Sequence, residues 1–186
     1  MTFINENKLN VTSNGNLMNN KILITGGTRS GKSIVAENLI LTYKNKPVYI
    51  ATAKIFDNEM AKRISKHKDR RSQLWIECEA YTNLVEVINK TDHLGPRLVD
   101  CLTMWLNNLI FEKFDWKYEV SKLVECLVKQ QQPIILVTNE VGSGVIPENK
   151  LARQFSDIVG ETNSIIAKNV DAVFLVVSGV SLKIKG

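Results

Sequence analysis

The sequence predicts an α/β domain with a mainly parallel sheet and helices on both faces. Three observations carry this. Short apolar runs such as "KILIT", "PVYIAT" and "PIILVTN" alternate with longer segments of helical character, the pattern of repeated strand–helix units. The runs are apolar at consecutive rather than alternate positions, as strands covered on both faces require. The first run ends in "GGTRSGKS", Gly26 to Ser33, which fits G-x-x-x-x-G-K-[ST] with a strand before it and a helix after it. That motif makes the expected fold P-loop NTPase-like.

Each element follows in order. Residues 1–20, "MTFINENKLNVTSNGNLMNN", are rich in Asn and lack the basic start and apolar core of a signal peptide. They read as a disordered or adventitious extension, with Met18 as an alternative start, and residues 21–186 as the catalytic domain. "KILIT" is the first strand, followed by a helix from Lys32 to about Tyr43 and a second strand ending near Thr52. Asp57 can cap the next helix, with Glu59 in its first turn. "LWIECE" reads as a short strand, Asn83 to Ile88 as a helix, and "RLVDCL" as an apolar run after "HLGP". Helices are expected over Thr103 to Glu112 and Asp115 to Lys129, then the strand "PIILVTN". Pro147 is expected to open a long helix to about Asn169, and "AVFLVVSG" to supply the last strand.

Composition narrows the class. A chain of 186 residues fits one domain with a full core, and its 44% hydrophobic and 23% charged content is ordinary for a globular protein. No apolar run is long enough to span a bilayer. Cys78, Cys101 and Cys126 are odd in number and lack metal-ligand spacing, so reduced thiols and a cytoplasmic location are expected. The net charge of +5 suits nucleic acid or any polyphosphate. Its densest cluster is compact, "AKRISKHKDRR" from Ala61 to Arg71, which favours a small anion.

The motif brings chemistry with it. Gly26, Gly27, Thr28, Arg29, Ser30 and Gly31 form a loop whose N–H groups can wrap phosphates, assisted by the helix N-terminus. Lys32 reaches the β- and γ-phosphates of GTP or ATP, and the Ser33 hydroxyl can ligate Mg²⁺. Asp100 ends "RLVD", where P-loop enzymes often carry the carboxylate that completes the Mg²⁺ shell; a plain cap is the alternative. One of two histidines, His67, sits inside the basic stretch, and a solvated helical face is the plain reading of that placement.

The chain resembles the bifunctional adenosylcobinamide kinase / adenosylcobinamide-phosphate guanylyltransferase family of cobalamin biosynthesis, from about Lys21 to Lys185. The carrying segments are "ITGGTRSGKS", "YIATA" with "DNEMAKRISKHKDRR", Trp75 followed by Glu79, "LVDCLT" with "NNLIFE", and "ILVTNEVGSGVIPENKLARQFSDIVGETN" with "VFLVVSGVSLKIKG". The resemblance implies that His67 accepts GMP from GTP. It also implicates Thr52, Ala53, Lys54, Lys68, Asp69, Arg70, Arg71, Glu79 and Asp100 in holding guanine nucleotide. An attacking imidazole must be neutral, and surrounding Lys and Arg both depress its pKa and hold the polyanion. Glu79 or Asp100 can read guanine N–H donors or ribose hydroxyls.

The implied function has two steps. The hydroxyl of adenosylcobinamide takes the γ-phosphate of GTP or ATP, and the resulting phosphate then takes GMP from His67, giving adenosylcobinamide-GDP and pyrophosphate. A homo-oligomer, a trimer by resemblance, is expected. A P-loop kinase for another small metabolite is one alternative, with His67 a mere phosphate-binding cation. A nucleic-acid-dependent ATPase is the other, but the chain lacks a basic stripe interleaved with aromatics. His93 reads as solvated, Trp75, Trp105 and Trp116 as core or interface residues, and "TNEVGSGVIPEN" as part of a cobinamide site or subunit contact.

Overall fold

The computed structural model describes residues 21–54 and 74–186. Its elements run β1 (Lys21–Thr25), α1 (Lys32–Ile40), β2 (Val48–Ala51), β3 (Ile76–Glu79), α2 (Leu84–Thr91), β4 (Arg97–Asp100), α3 (Leu102–Phe111), α4 (Trp116–Lys129), β5 (Ile134–Val137), α5 (Lys150–Lys168), β6 (Ala172–Val177) and β7 (Val180–Lys185). Among the described residues, seven strands form one sheet in the order β3-β2-β4-β5-β1-β6-β7. Every neighbouring pair is parallel except β6 and β7. The expected α/β class holds.

The consecutive apolar positions serve two cores at once, because successive strand side chains point to opposite faces. Ile22 and Ile24 join Ala36, Leu39 and Ile40 of α1 on one face. Leu23 between them joins the other face, where Ile88, Trp105, Leu109, Leu123, Leu127 and Ile166 from α2 to α5 pack. Each fully buried Leu or Ile contributes roughly 1.5–3 kcal/mol. Trp75 and Trp105 are core residues, as expected, and Trp116 packs against the core. His93 is exposed, and all three cysteines are free.

Two helix boundaries and the number of strands differ most from expectation, and α2 runs on to Thr91, three residues past Ile88. The long helix starts at Lys150 rather than at Pro147, because the Asn149 side chain accepts the N–H groups of Leu151 and Ala152 and so caps it there. Arg153 takes the Pro147 and Glu148 carbonyls instead. The first helix ends at Ile40, after which Thr42 and Tyr43 tighten to three-residue hydrogen bonds with Leu39 and Ile40.

The third difference is a seventh strand where "AVFLVVSG" was expected to be the last. Ser178 and Gly179 adopt φ of 51° and 82°, and Val177 faces Val180, so "SG" is a two-residue hairpin turn. The signal was present in the alternation of "VSLKIK" after that dipeptide.

At the opposite edge of the sheet from the strand C-termini, Arg97 is fully buried. It pairs with Asp92 at 2.7 Å and donates to Gln130 Oε1 and the Gln132 carbonyl, so its charge is matched locally.

Candidate active site at the carboxyl edge of the sheet

In a parallel sheet, loops leaving the strand C-termini share one edge, and ligands bind there. Gly26 to Gly31 leave β1, Thr52 to Lys54 leave β2, Glu79 ends β3, and Asp100 ends β4. β5 lies between β1 and β4, so the phosphate-type loop and Asp100 are two strand spacings apart, roughly 10 Å. β2 lies one spacing further out, on the far side of β4.

The loop is held from both ends by main chain. Glu140 N–H donates to the Gly26 carbonyl at 3.0 Å, and Gly179 N–H in the hairpin turn donates to the Ser30 carbonyl at 2.8 Å. Two glycines are required by this closeness. A Cβ on Gly26 would lie 2.4 Å from the Val176 carbonyl oxygen and 2.7 Å from Ser30 Oγ. Gly31, at φ 93°, caps α1 against Gly179. Gly26→Ala should therefore lower the thermal midpoint through overpacking that costs about 1–3 kcal/mol. An unchanged melting curve would show that the loop yields freely.

Lys32 opens α1 and is buried, with Nζ donating to the Gly27 carbonyl at 3.1 Å. Burial lowers its pKa, and the Asp100 carboxylate partly offsets that. Lys32 and Asp100 thus share one electrostatic environment although 68 positions separate them in the chain. Asp100 also accepts from Tyr49 Oη at 3.2 Å. Burial, reinforced by Asp100, pushes the Cys101 thiol up to about 12, so it stays protonated and is no nucleophile at neutral pH. Buried Ser30 Oγ has no protein hydrogen-bond partner and lies inside the loop, free to donate to an anion. Gly27, Thr28 and Arg29 are exposed, and Ser33 is half-buried on the first turn of α1. A glycine loop at a helix N-terminus, an unpartnered buried hydroxyl, one buried ammonium and a carboxylate across the sheet suit a polyphosphate carrying a divalent cation.

A second group gathers at β2 and β3. Lys54 forms an ion pair with Glu112, the residue that caps the C-terminus of α3, and its Nζ lies 5.6 Å from the centre of the Tyr81 ring. Tyr81 Oη donates to Glu79 at 2.6 Å, and that bond, with burial, raises the tyrosine pKa. Thr52 is committed elsewhere. Its hydroxyl donates to the Cys101 carbonyl at 2.7 Å and accepts from the Cys101 N–H at 2.8 Å, tying β2 to β4. Ala53 is half-buried beside it. Tyr81 lies in no motif, and Glu112 closes "NNLIFE" without a chemical role to mark it; α3 brings both in, because Asn108 Nδ2 donates to the Thr52 and Tyr81 carbonyls.

His67, Lys68, Asp69, Arg70 and Arg71 lie outside the described residues, as do Asp57 and Glu59. Lys54, the last described residue before them, follows β2 at the same sheet edge as the loop, and Leu74, the first after them, precedes β3.

Comparison with known proteins gives a consistent picture. The family described as cobinamide kinase / cobinamide phosphate guanyltransferase matches residues 22–184. The bifunctional adenosylcobalamin biosynthesis protein CobU of Salmonella typhimurium is 42% identical over 182 residues, spanning 88% of this chain and 99% of its own. The bifunctional adenosylcobalamin biosynthesis protein CobP of Pseudomonas aeruginosa is 39% identical over 169 residues, spanning 88% and 96%. Among solved structures, an ATPase from the type III secretion system of pathogenic bacteria superposes with a TM-score of 0.54 at 10% identity, covering 88% of this chain and 56% of that one. At that identity the likeness concerns the fold alone.

Proposed function

The chain belongs to the cobinamide kinase / cobinamide phosphate guanyltransferase family, and on that premise we propose the following assignment of residues to its two reactions. The observation that carries it is the family match over residues 22–184, which takes in the phosphate-type loop, Asp100 and the basic stretch alike. The chain is a bifunctional enzyme of cobalamin biosynthesis, a kinase and a guanylyltransferase.

In the kinase step, the hydroxyl oxygen of adenosylcobinamide bonds to the γ-phosphorus of GTP or ATP and gives up its proton to water, the bond from that phosphorus to the β–γ bridging oxygen breaks, and the nucleoside diphosphate leaves. Gly26 to Gly31 bind the phosphates through main-chain N–H groups, and Lys32 offsets the charge that develops on the transferred group. Ser33 and Asp100 would hold Mg²⁺. One hydroxyl and one carboxylate form an all-oxygen donor set, which suits a hard cation that completes its shell with phosphates and water. Such an ion would neutralise charge on the bridging oxygens.

In the guanylyl step, His67 attacks the α-phosphorus of GTP and pyrophosphate leaves. The phosphate of adenosylcobinamide phosphate then attacks the same phosphorus and releases the imidazole. Lys68, Arg70 and Arg71 serve as cations for the leaving pyrophosphate, with Asp69 among them. With Asp100 committed beside Lys32, the exposed Glu79 beside Tyr81 is the better reader of guanine donors, and Lys54 and the Thr52–Ala53 main chain border it. A trimer in the cytoplasm fits the family; among the described residues no helix is long and apolar enough to cross a membrane.

Two labels test the whole scheme. With adenosylcobinamide present, γ-label from GTP or ATP is expected to pass to the corrinoid. α-Label from GTP is expected first on the protein and then on the corrinoid phosphate. Label transfer from the γ position with no protein adduct would reduce the chain to a simple kinase.

A further inference from the structure

A closed circuit of hydrogen bonds sits where β5 ends, between the phosphate-type loop and Asp100. Asn139 N–H donates to Thr103 Oγ1 at 2.8 Å. Thr138 Oγ1 donates to Asn163 Oδ1 at 2.7 Å, and Asn163 Nδ2 donates to the Asn139 carbonyl at 3.1 Å. Thr103 and Thr138 hydroxyls lie 3.3 Å apart. A hydroxyl has one proton, and that of Thr138 is already committed to Asn163, so this last contact must run from Thr103 to Thr138. The circuit therefore has a single direction, and it grips both the N–H and the carbonyl of Asn139.

Its members come from three elements: Thr103 from α3, three residues past Asp100; Thr138 and Asn139 from the end of β5; Asn163 from α5. Thr103 is 4% exposed and Thr138 fully buried, so bulk water cannot replace a lost link cheaply. On either side of the gripped peptide, the main chain meets the loop strand. Thr138 N–H donates to the Ile24 carbonyl and Glu140 N–H to the Gly26 carbonyl, both at 3.0 Å.

We propose that Thr138, together with Thr103 and Asn163, is a positioning residue for phosphoryl transfer. The circuit holds the Asn139–Glu140 main chain against Gly26 while anchoring it to the helix that follows Asp100, and so sets the separation of the loop from that carboxylate. This rests on reading Gly26 to Ser33 as the phosphate site. A misplacement of about 1 Å at such a site costs up to roughly a hundredfold in rate without abolishing binding.

Thr138→Val keeps the β-branched shape and removes the hydroxyl. It is expected to lower kcat for adenosylcobinamide phosphorylation by about tenfold or more while nucleotide KM stays within about threefold. Thr138→Ser restores the proton and should restore kcat. Asn163→Asp still accepts from Thr138 but turns an oxygen toward the Asn139 carbonyl, so it should repeat the kcat loss even where the valine variant proves unstable. Wild-type kcat in folded Thr138→Val or in Asn163→Asp overturns the proposal. So does a serine variant that recovers the melting temperature but not the rate. Lys32→Ala, assayed in parallel, separates the two readings. Wild-type transfer there rejects the phosphate site itself, whereas an inactive Lys32→Ala beside a fully active Thr138→Val rejects only the positioning role.

Discussion

His67→Ala is expected to abolish labelling of the protein by α-labelled GTP and, with it, all guanylyl transfer to adenosylcobinamide phosphate. A nucleotidyl intermediate needs a nucleophile that is neutral at working pH, and imidazole is the side chain that meets this near pH 7. Neighbouring Lys and Arg side chains cannot substitute, since they are protonated near pH 7. Cys101 is excluded by its raised pKa and burial. The wild-type adduct should behave as a phosphoramidate, labile in acid and resistant to alkali. Phosphorylation of adenosylcobinamide should persist in the same variant, because γ-phosphoryl transfer draws on Lys32 and the loop. An adduct that survives the substitution would move the nucleophile elsewhere.

Lys32→Ala has the complementary effect. The ammonium is buried beside its own loop and Asp100, in surroundings where charge is poorly screened, so its loss leaves the phosphates with the neutral donors of the loop, main-chain N–H groups and the Ser30 hydroxyl. Phosphoryl transfer should fall by about 10²–10³, the scale seen when one preorganised charge-stabilising group is removed. Nucleotide affinity should weaken too, and α-label incorporation at His67 with it, since the same cation would hold the departing pyrophosphate. Competition binding with a fluorescent nucleotide and a coupled kinase assay measure both effects. Near-normal phosphorylation would show that "GGTRSGKS" is not where the transferred phosphate lies.

The burial of Lys32 also sets the pH behaviour of this pair of predictions. Its lowered pKa means that the charge it supplies is lost at a lower pH than for an exposed lysine. In the free enzyme, kcat/KM for nucleotide should therefore fall on the alkaline side earlier than simple lysine titration would give, and that limb should vanish from the residual activity of Lys32→Ala.

His67 entered through the family resemblance; the chain's own pattern was enough for the α/β class, the loop that opens α1, the two-sided burial of the central strands, and the candidacy of Lys32 and Asp100. These are local signals: consecutive apolar residues, glycines at fixed spacing before a lysine, a carboxylate at a strand end. The hairpin at Ser178 and Gly179 was legible in the same local terms and was passed over. Tertiary structure alone decided which strand lies beside which. It inserted β5 between the loop strand and Asp100, drew Glu112 at the end of α3 to Lys54, and spent the Thr52 hydroxyl on the Cys101 peptide. It also closed the circuit through Thr103, Thr138 and Asn163. These pairings join residues far apart in the chain, and no sequence period records them. They arise because buried hydroxyls and amides must find partners once the apolar faces have fixed the packing, and the partners they find depend on which elements that packing has made neighbours.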